Sequence, residues 1–408
     1  MRDYDVVIVG AGEAGTATAL GLAGRGFSGT VCVLGEEPGP SYHRPPLSKG
    51  FLDGSEDAGS IVHATAEHFR DAGAEAWFGV RAWGIDRAAR VVSTAAGEVR
   101  YGHLVLATGA RNRSVSSRPI DGVVQLRTVA EAEELRGRLA ETDRIVIVGA
   151  GVLGLEVASV AAGLGVSVEV VEAADGPLGG KVSPATAQAV EGFLRSEGIR
   201  FSYGSGVARF RESDGKLSGV ELSDGRVVET RLALVCVGVV PDTSLAVAAG
   251  LKTGAGIEVD EHLVTSDPNV SAIGDSASYP DASGARVRTE SIANALSQGS
   301  CVAARLCGGP AEYSAIPWFW SAYGKHRLDI VGSEPHVDEV IVQGDPLAQD
   351  FAAFCFAGGR LARFESVGRP RHSMRARRLF ERGQVLTPAE VRAPGFDLAA
   401  WRPAVPTA

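Results

Sequence analysis

The sequence contains few cysteines and no long apolar run. Among its 408 residues there are five cysteines, and no two of them form a C-x2-C or C-x4-C pair. The sequence therefore indicates neither a redox dithiol nor a disulfide framework. No apolar stretch approaches the length of about 18 residues that a membrane-spanning helix needs, and the first strand pattern begins at about Asp5, which leaves no room for a signal peptide. We therefore expect a reduced, soluble, cytoplasmic protein without a membrane partner.

Positive charge is also in short supply. Forty lysines and arginines stand against 49 aspartates and glutamates, giving a formal net charge of −9. This balance argues against broad nucleic-acid binding. The hydrophobic share of 45% and the charged share of 22% are ordinary for a globular protein, and the length allows two or three domains of about 150 residues each.

Glycine, in contrast, is abundant, and one glycine pattern occurs twice. DVVIVGAGEAG (Asp5–Gly15) and RIVIVGAGVLGLE (Arg144–Glu156) each place G-x-G-x-x-G directly after a β-branched run. The motif glycines are Gly10, Gly12 and Gly15 in the first copy and Gly149, Gly151 and Gly154 in the second. In such a motif the first glycine makes the tight turn, the second lets backbone approach a pyrophosphate, and the third packs the following helix closely. The N-terminus of that helix favours an anion.

An acidic residue follows each glycine motif at the spacing of a dinucleotide-binding unit. Glu36 lies 21 residues after Gly15, and Glu172 lies 18 residues after Gly154. A carboxylate about 20 residues downstream meets a ribose diol in such units. Two complete patterns in one chain predict two bound dinucleotides.

Further stretches point to cofactor contacts, each with a plainer alternative. Arg44 and Lys49 flank a Pro-Pro turn, which predicts either a solvated loop or contacts to a flavin's phosphates and ring. The segment Val270–Ser278 ends a strand at Asp275, which is either a helix N-cap or a cofactor contact. Glu290–Leu306 has helical periodicity, and its N-terminus would direct a positive dipole end at a bound ring.

Several of these motifs together resemble a known family. An A-T-G after the buried strand in Tyr101–Arg113 is similar to the two-dinucleotide-domain flavoprotein disulfide reductases. HRPPLSKGFL, Glu156 directly after G-x-G-x-x-G-L, ESIANALSQG and PWFWS then resemble the NADH-dependent ferredoxin reductases of oxygenase systems, the family of putidaredoxin reductase and rubredoxin reductase. The likeness covers essentially the whole chain. It implies that NADH reduces FAD, which then passes electrons singly to a [2Fe–2S] ferredoxin.

The resemblance implies a fold and a set of site residues. The fold is α/β, with an FAD-binding Rossmann-like domain (residues 1–113 and 244–312), an inserted NAD-binding one (114–243) and a C-terminal α+β domain (313–408). The residues assigned to FAD are Gly10, Gly12, Ala14, Gly15, Glu36, Arg44, Lys49, Thr108, Gly109, Arg113, Gly274, Asp275, Ser291 and Trp320. Those assigned to NADH are Gly149, Gly151, Gly154, Glu172, Lys181 and Gly238.

The same resemblance assigns catalytic roles to Lys49, Glu156 and Trp320. Lys49 and Glu156 would pair beside flavin N5, where a cation favours the electron-rich reduced ring and its carboxylate partner limits the cost of burial. A structural ion pair between domains is the alternative. Trp320 would lie near the flavin and the partner-facing edge, or would be an ordinary core aromatic.

Nucleotide choice follows from the residues themselves. Glu172 would accept hydrogen bonds from a ribose diol and repel a 2′-phosphate, and no arginine directly follows it, so NADH is favoured over NADPH. The chain departs from its relatives at Lys181, where they often carry arginine, and at Ala322 and Tyr323, where they commonly read Asp-Gln. The latter change bears on the flavin's far edge and the electron acceptor.

The electron-accepting partner is expected at a basic stretch. Seven arginines between Arg360 and Arg382, namely Arg363, Arg369, Arg371, Arg375, Arg377, Arg378 and Arg382, stand against Glu365 and Glu381. Near Trp320 and Arg369–Arg382 such a field suits an acidic ferredoxin, while a solvated helix face is the alternative. The protein would be a monomer or homodimer and would hold no metal.

The same residues bear on three alternative functions. Thiol-dependent reductases need a cysteine pair by the flavin, which this chain lacks. An NADH oxidase that passes electrons to oxygen remains open, as does an NADH-sensing flavoprotein of the apoptosis-inducing-factor type.

Overall fold

The structure is a computed structural model, and it divides into two compact units. It describes residues 1–116, 118–281, 283–310, 312–333 and 336–403. The first unit comprises Met1–His43, Ala58–Arg111 and Val239–Ala315. The second comprises Arg44–Asp57, Asn112–Gly238 and the described chain from Ile316 onward.

The secondary structure elements are numbered in chain order. The α-helices are α1 (Glu13–Ala23), α2 (Gly50–Asp53), α3 (Ala66–Asp71), α4 (Val129–Ala140), α5 (Val152–Gly163), α6 (Pro184–Ser196), α7 (Ser244–Ala248), α8 (Ile292–Leu306), α9 (Pro370–Glu381) and α10 (Pro388–Arg392). Short 3₁₀ turns span Pro45–Ser48, Pro177–Gly180 and Gly274–Ser276. The strands are β1 (Arg2–Val9), β2 (Val31–Gly35), β3 (Ser41–Tyr42), β4 (Val62–Ala64), β5 (Ala74–Phe78), β6 (Ala82–Asp86), β7 (Val91–Thr94), β8 (Gly97–Leu106), β9 (Ala110–Asn112), β10 (Val123–Val124), β11 (Arg144–Val148), β12 (Ser167–Val171), β13 (Arg200–Ser202), β14 (Val207–Ser213), β15 (Lys216–Leu222), β16 (Val227–Glu229), β17 (Ala233–Val235), β18 (Val239–Pro241), β19 (Ile257–Glu258), β20 (Val270–Ala272), β21 (Ala277–Pro280), β22 (Arg286–Val287), β23 (Trp318–Tyr323), β24 (His326–Gly332), β25 (Glu339–Asp345), β26 (Asp350–Ala357) and β27 (Arg360–Val367).

The first unit is built on a mixed sheet. Its parallel part runs β5-β2-β1-β8, with β20 on the C-terminal half of β8, while β7 and β6 extend the sheet antiparallel. The apolar ends of β1 and β2 are fully buried, as expected for strands covered on both faces. Helix α1 makes the crossover between them, so the first glycine motif lies at the carboxyl edge of the parallel strands.

The second unit repeats this arrangement and adds an antiparallel sheet. Strands β10-β17-β11-β12-β13 are parallel, and α5 connects β11 to β12. A small antiparallel sheet, β14-β15-β16, packs into the same apolar cluster. The C-terminal sheet, β23-β24-β27-β26-β25, is antiparallel throughout. Its core is aromatic, with Phe354 and Phe364 in edge contact 5.2 Å apart, and contains Leu379 from α9.

The predicted α/β class with two Rossmann-like sheets and a C-terminal α+β part is confirmed. The domain boundaries remain a prediction, since the two units form a coarser division. Helix α8 begins at Ile292, two residues later than the sequence pattern indicated, because Ser291 caps it. None of the described helices combines the length and the hydropathy that crossing a membrane requires.

Candidate functional site

The first glycine motif forms a loop in which two glycines are required by packing and one is not. Gly10 has φ +114°, and a Cβ on it would lie 2.1 Å from the carbonyl oxygen of Ala107. A Cβ on Gly15 would lie 1.9 Å from the carbonyl oxygen of Gly10. Gly12 is the N-cap of α1, and a Cβ there meets no described heavy atom within 4 Å. The side of the loop next to Gly12 is therefore open, as a motif that admits a pyrophosphate to the backbone N–H groups of its helix requires.

The second motif has the same geometry in the second unit. Gly149 has φ +106°, and its Cβ would lie 2.4 Å from the carbonyl oxygen of Cys236. A Cβ on Gly154 would lie 2.2 Å from the carbonyl oxygen of Gly149, whereas Gly151 again faces open space among the described residues. The residues present thus fit two dinucleotides, one in each unit.

The two acidic residues follow the second strand of each motif but differ in their surroundings. Glu36 is exposed, with Arg81 Nε 3.5 Å from its carboxylate. Glu172 accepts hydrogen bonds from the backbone N–H of Ala150 and of Ala174, both at 2.9 Å. Its carboxylate is therefore held against the glycine loop.

The predicted pair between Lys49 and Glu156 is confirmed. Lys49 Nζ lies 2.7 Å from Glu156 Oε2 and also donates to the carbonyl oxygen of Pro45 at 3.1 Å. Glu156 is 5% exposed and comes from the first turns of α5. Ser48 donates to its Oε2 at 2.5 Å and Ser321 to its Oε1 at 2.6 Å. Sequence reasoning missed both serines, although each is the chain neighbour of a residue it did select.

Trp320 is in contact with two cations. Lys49 Nζ is 5.3 Å and Arg327 Cζ is 4.8 Å from the indole ring centroid. Arg327 is in turn bound to Asp329 at 3.0 Å. The structure therefore brings the three residues predicted as catalytic, Lys49, Glu156 and Trp320, into one cluster.

The departure at Tyr323 places a phenol in the interior. The side chain is 2% exposed, and its hydroxyl has no hydrogen-bond partner among the described residues. Burial raises the pKa of Tyr323 above its usual range. The hydroxyl is therefore protonated at neutral pH, and it is a polar atom without compensation.

The A-T-G segment is fixed by the chain that returns to the first unit. Thr108 donates its hydroxyl to the carbonyl oxygen of Asp242 at 2.6 Å, and the carbonyl oxygen of Gly109 accepts from the N–H of Asp242 at 2.9 Å. In the second unit, the N–H of Arg113 donates to the carbonyl oxygen of Gly238 at 2.9 Å. Thr108 and Gly109 are thus both bound to Asp242, and the predicted residues Arg113 and Gly238 are bound to each other through backbone atoms.

The Gly274-Asp275 segment lies against the first glycine motif. A Cβ on Gly274 would lie 3.1 Å from the Cβ of Ala14, and its N–H donates to Gln298 Oε1 at 2.7 Å. The carbonyl oxygen of Asp275 accepts from Arg288 at 3.2 Å. Ser291 accepts from the N–H of Asn294 at 3.2 Å as the N-cap of α8.

Two further predicted cations also belong to the second unit. Arg44 donates to the carbonyl oxygen of Arg127 at 2.5 Å. Lys181 is exposed and follows the 3₁₀ turn Pro177–Gly180.

The basic stretch is less continuous than the sequence indicated. Arg363 is 6% exposed and bound to Glu365 at 2.7 Å, so its inclusion in a surface field was wrong. Arg369 is bound to Asp350 at 2.8 Å. Arg377 stacks over Trp318 with its Cζ 4.3 Å from the ring centroid. The arginines of the stretch that are exposed are Arg371, Arg378 and Arg382.

Comparison with known proteins agrees with this geometry. Residues 4–299 match the pyridine nucleotide-disulphide oxidoreductase family, and residues 318–401 match the reductase C-terminal family. Rhodocoxin reductase from Rhodococcus erythropolis is 40% identical over 96% of this chain and 93% of its own.

Two solved structures extend the likeness to the whole fold. The crystal structure of a ferredoxin reductase from Rhodopseudomonas palustris has a TM-score of 0.93 and 38% identity, covering 97% of this chain and 98% of its own. That of a covalent putidaredoxin reductase–putidaredoxin complex has a TM-score of 0.92 and 32% identity, covering 97% of each chain. With two glycine loops that fit dinucleotides and both family matches in place, the chain belongs to the pyridine nucleotide-disulphide oxidoreductase family of FAD-containing, NAD(P)H-dependent enzymes, as a member with the reductase C-terminal domain.

Proposed function

We propose that the protein is an NADH-dependent ferredoxin reductase, which takes electrons from NADH through FAD and delivers them to a [2Fe–2S] ferredoxin serving an oxygenase. The observation that carries the proposal is the cluster of Lys49, Glu156 and Trp320 next to the second glycine loop. The names of the similar proteins support the ferredoxin, since they include ferredoxin reductases and a reductase in covalent complex with its redox partner. The sequence resemblance supports the oxygenase.

We assign FAD to the first glycine loop and NADH to the second. In the first unit, FAD would contact Gly10, Gly12, Ala14, Gly15, Glu36, Thr108, Gly109, Gly274, Asp275 and Ser291. Arg44, Lys49, Arg113 and Trp320 are also assigned to FAD, and Gly149, Gly151, Gly154, Glu172, Lys181 and Gly238 to NADH. Bound FAD supplies the step from a two-electron donor to a one-electron acceptor.

The chain's own residues supply binding, orientation and charge. Glu172, fixed by two backbone N–H groups, presents a carboxylate to a ribose diol and repels a 2′-phosphate. Lys49 provides a positive charge whose position is set by Glu156, and the two serines hold that carboxylate in one orientation. The indole of Trp320 makes cation–π contacts with both Lys49 and Arg327, which restrict its orientation.

The ferredoxin is expected to be acidic and to dock near Trp320 and helix α9. The exposed Arg371, Arg378 and Arg382 make a positive local field on a chain of net charge −9. Complementary charge of this kind steers encounter and sets orientation. Because Arg363 and Arg369 are bound to carboxylates, they contribute little to that field.

An anaerobic stopped-flow experiment tests the proposal. The FAD-loaded protein is mixed with NADH and then with a [2Fe–2S] ferredoxin, while flavin absorbance is followed. Fast bleaching and fast reoxidation by the ferredoxin are expected. Reoxidation by oxygen alone would replace the proposal with an NADH oxidase, and slow bleaching to a stable complex would replace it with a redox sensor.

A further inference from the structure

Outside the proposed electron-transfer machinery, one glutamate and two histidines converge in the first unit. Glu13 is the first residue of α1, His43 follows β3, and His63 lies in β4, which pairs with β3. His43 Nδ1 is 2.6 Å from Glu13 Oε1, and His63 Nδ1 is 3.2 Å from Glu13 Oε2. None of the three has a place in the function proposed above.

The second contact is not a hydrogen bond, and it leaves two buried atoms without a partner. Glu13 Oε2 and His63 Nδ1 each have no hydrogen-bond partner among the described residues, although they face each other at 3.2 Å. The Glu13 side chain is 9% exposed and that of His63 is 16% exposed. Buried polar atoms of this kind usually have a hydrogen-bond partner or a bound ion. A cation that both atoms can bind would satisfy them.

The Nδ1 atoms of the two imidazoles both face the carboxylate of Glu13. The rings of His43 and His63 are stacked, with centroids 4.4 Å apart and planes inclined by 24°. One ligand atom from each of Glu13, His43 and His63 lies within 4.8 Å of the other two. Zinc binds imidazole nitrogen and carboxylate oxygen at about 2.0–2.2 Å, which places neighbouring ligands of a tetrahedral site about 3.3 Å apart. The 3.2 Å between His63 Nδ1 and Glu13 Oε2 matches that edge, while His43 Nδ1 lies 2.6 Å from the other carboxylate oxygen, Oε1.

We propose that Glu13, His43 and His63 form a binding site for a divalent transition-metal ion of the Zn²⁺ class. Two imidazoles and one carboxylate suit Zn²⁺, Ni²⁺ and Cu²⁺ better than Mg²⁺ or Ca²⁺, which take oxygen ligands. The bound ion links the paired strands β3 and β4 to the N-terminus of α1. The site is therefore a structural clamp on the first glycine loop, with a coordination position left for solvent.

The first test uses the FAD-loaded wild-type protein after treatment with a chelator. Zn²⁺ is titrated by calorimetry, and Cu²⁺ is added in a separate sample for electron paramagnetic resonance. We expect one equivalent of Zn²⁺ to bind and the Cu²⁺ spectrum to show splitting from two imidazole nitrogens. Absence of Zn²⁺ binding, or a Cu²⁺ spectrum without two nitrogens, would overturn the proposal and leave a shared proton as the cation of the cluster.

Variants then assign the site to these side chains. His63→Asn and Glu13→Gln should each weaken Zn²⁺ binding by at least about tenfold, and Zn²⁺ should raise the melting temperature of the wild type but not of the variants. The matched control is His262→Ala, because His262 also has a carboxylate neighbour, Glu261 at 3.7 Å, but no second histidine in the cluster. Retention of full affinity in both site variants, or its loss in the control, would contradict the assignment. The FAD content of each variant shows that it is folded.

Discussion

Lys49 Nζ lies 2.7 Å from Glu156 Oε2, and the hydroxyls of Ser48 and Ser321 donate to the same carboxylate. A buried carboxylate with three donors is fixed in place, and it fixes the ammonium group that pairs with it. The charge of Lys49 is therefore inseparable from Glu156. This relationship makes the two residues a single functional unit, and a double-mutant cycle can test it.

Glu156→Gln and Lys49→Met should each lower the free energy of unfolding. The double variant should lower it by less than the sum of the two single changes. The reason is that each single change leaves a buried group of the other residue without its partner. We expect a coupling energy of about 2 kcal/mol, measured by urea denaturation of the FAD-loaded protein. Strict additivity would show that the two residues act independently.

The choice of nicotinamide cofactor should depend on Glu172. Glu172→Gln keeps the length of the side chain and removes the charge that repels a 2′-phosphate, so the ratio of kcat/KM for NADH over NADPH should fall by about tenfold, or about 1.4 kcal/mol. Steady-state rates with an artificial acceptor give this ratio. Glu36→Gln is the matched control in the other loop, and an equal change there would reverse the assignment of the two cofactors.

Alanine at the second glycine of each motif should separate the two dinucleotide sites. Gly12 and Gly151 both have φ −75° and space for a Cβ, so Gly12→Ala and Gly151→Ala should fold normally. Because the methyl group stands where a pyrophosphate approaches, Gly12→Ala should lose FAD, while Gly151→Ala should keep FAD and show a KM for NADH raised about tenfold. Flavin absorbance of the purified variants and NADH saturation curves distinguish the two.

The third glycine of each motif provides the contrast. Gly154→Ala would put a Cβ 2.2 Å from the carbonyl oxygen of Gly149, so it should lower the free energy of unfolding by about 3 kcal/mol rather than change NADH affinity alone. A stable Gly154→Ala variant would contradict the close packing of α5 on its loop.

Acid sensitivity should come in part from His103. Burial, and secondarily the charge of Arg305, lower the pKa of His103 from 6.5 to about 4 in the folded protein. The unfolded chain takes up a proton near pH 6.5 and the folded chain does not, so stability falls as pH drops from about 6.5 to 4 and is unaffected by this group above that window. The loss approaches about 3 kcal/mol below pH 4.

His103→Gln should reduce the change in the free energy of unfolding between pH 6.5 and 4. The glutamine keeps a polar group toward Ser271, whose Oγ lies 3.0 Å from His103 Nε2. Chemical denaturation at several pH values between 4 and 7 gives the two slopes. Equal slopes in variant and wild type would assign the acid sensitivity to other groups.

Ferredoxin docking should depend on the exposed arginines of α9. Arg371→Glu with Arg378→Glu should raise the KM for the ferredoxin about tenfold at low salt, and the difference should shrink as ionic strength rises, because exposed charges act over a Debye length of about 10 Å at 0.1 M. Reduction of ferricyanide by NADH should be unchanged. Arg70→Glu, an exposed helical arginine of the first unit, is the control, and an equal effect there would make the charge effect non-local.

The two glycine loops could be predicted from residue types and spacing alone, because their requirements are local. A strand, a turn with positive φ at Gly10 or Gly149 and a helix N-terminus follow one another in the chain, so the residue types report the geometry directly. The acids Glu36 and Glu172 are also placed by spacing, since each follows the next strand. The α/β class follows from the same alternation of strand and helix.

Contacts between residues that are far apart in the sequence could be established only from the folded structure. The pair between Lys49 and Glu156 could be predicted only through a family resemblance. The two serines that hold it were found only in the structure, where the turn Pro45–Ser48 and β23 both pack against α5. The sequence analysis included Arg363 in the exposed basic stretch, but in β27 its side chain is buried and paired with Glu365. Glu13, His43 and His63 lie on three separate elements whose meeting no local pattern encodes. Hydrophobic periodicity and motif spacing indicate only which residues are close along the chain. Which charges are buried, and which side chains converge on one site, depends on how the fold packs its elements together.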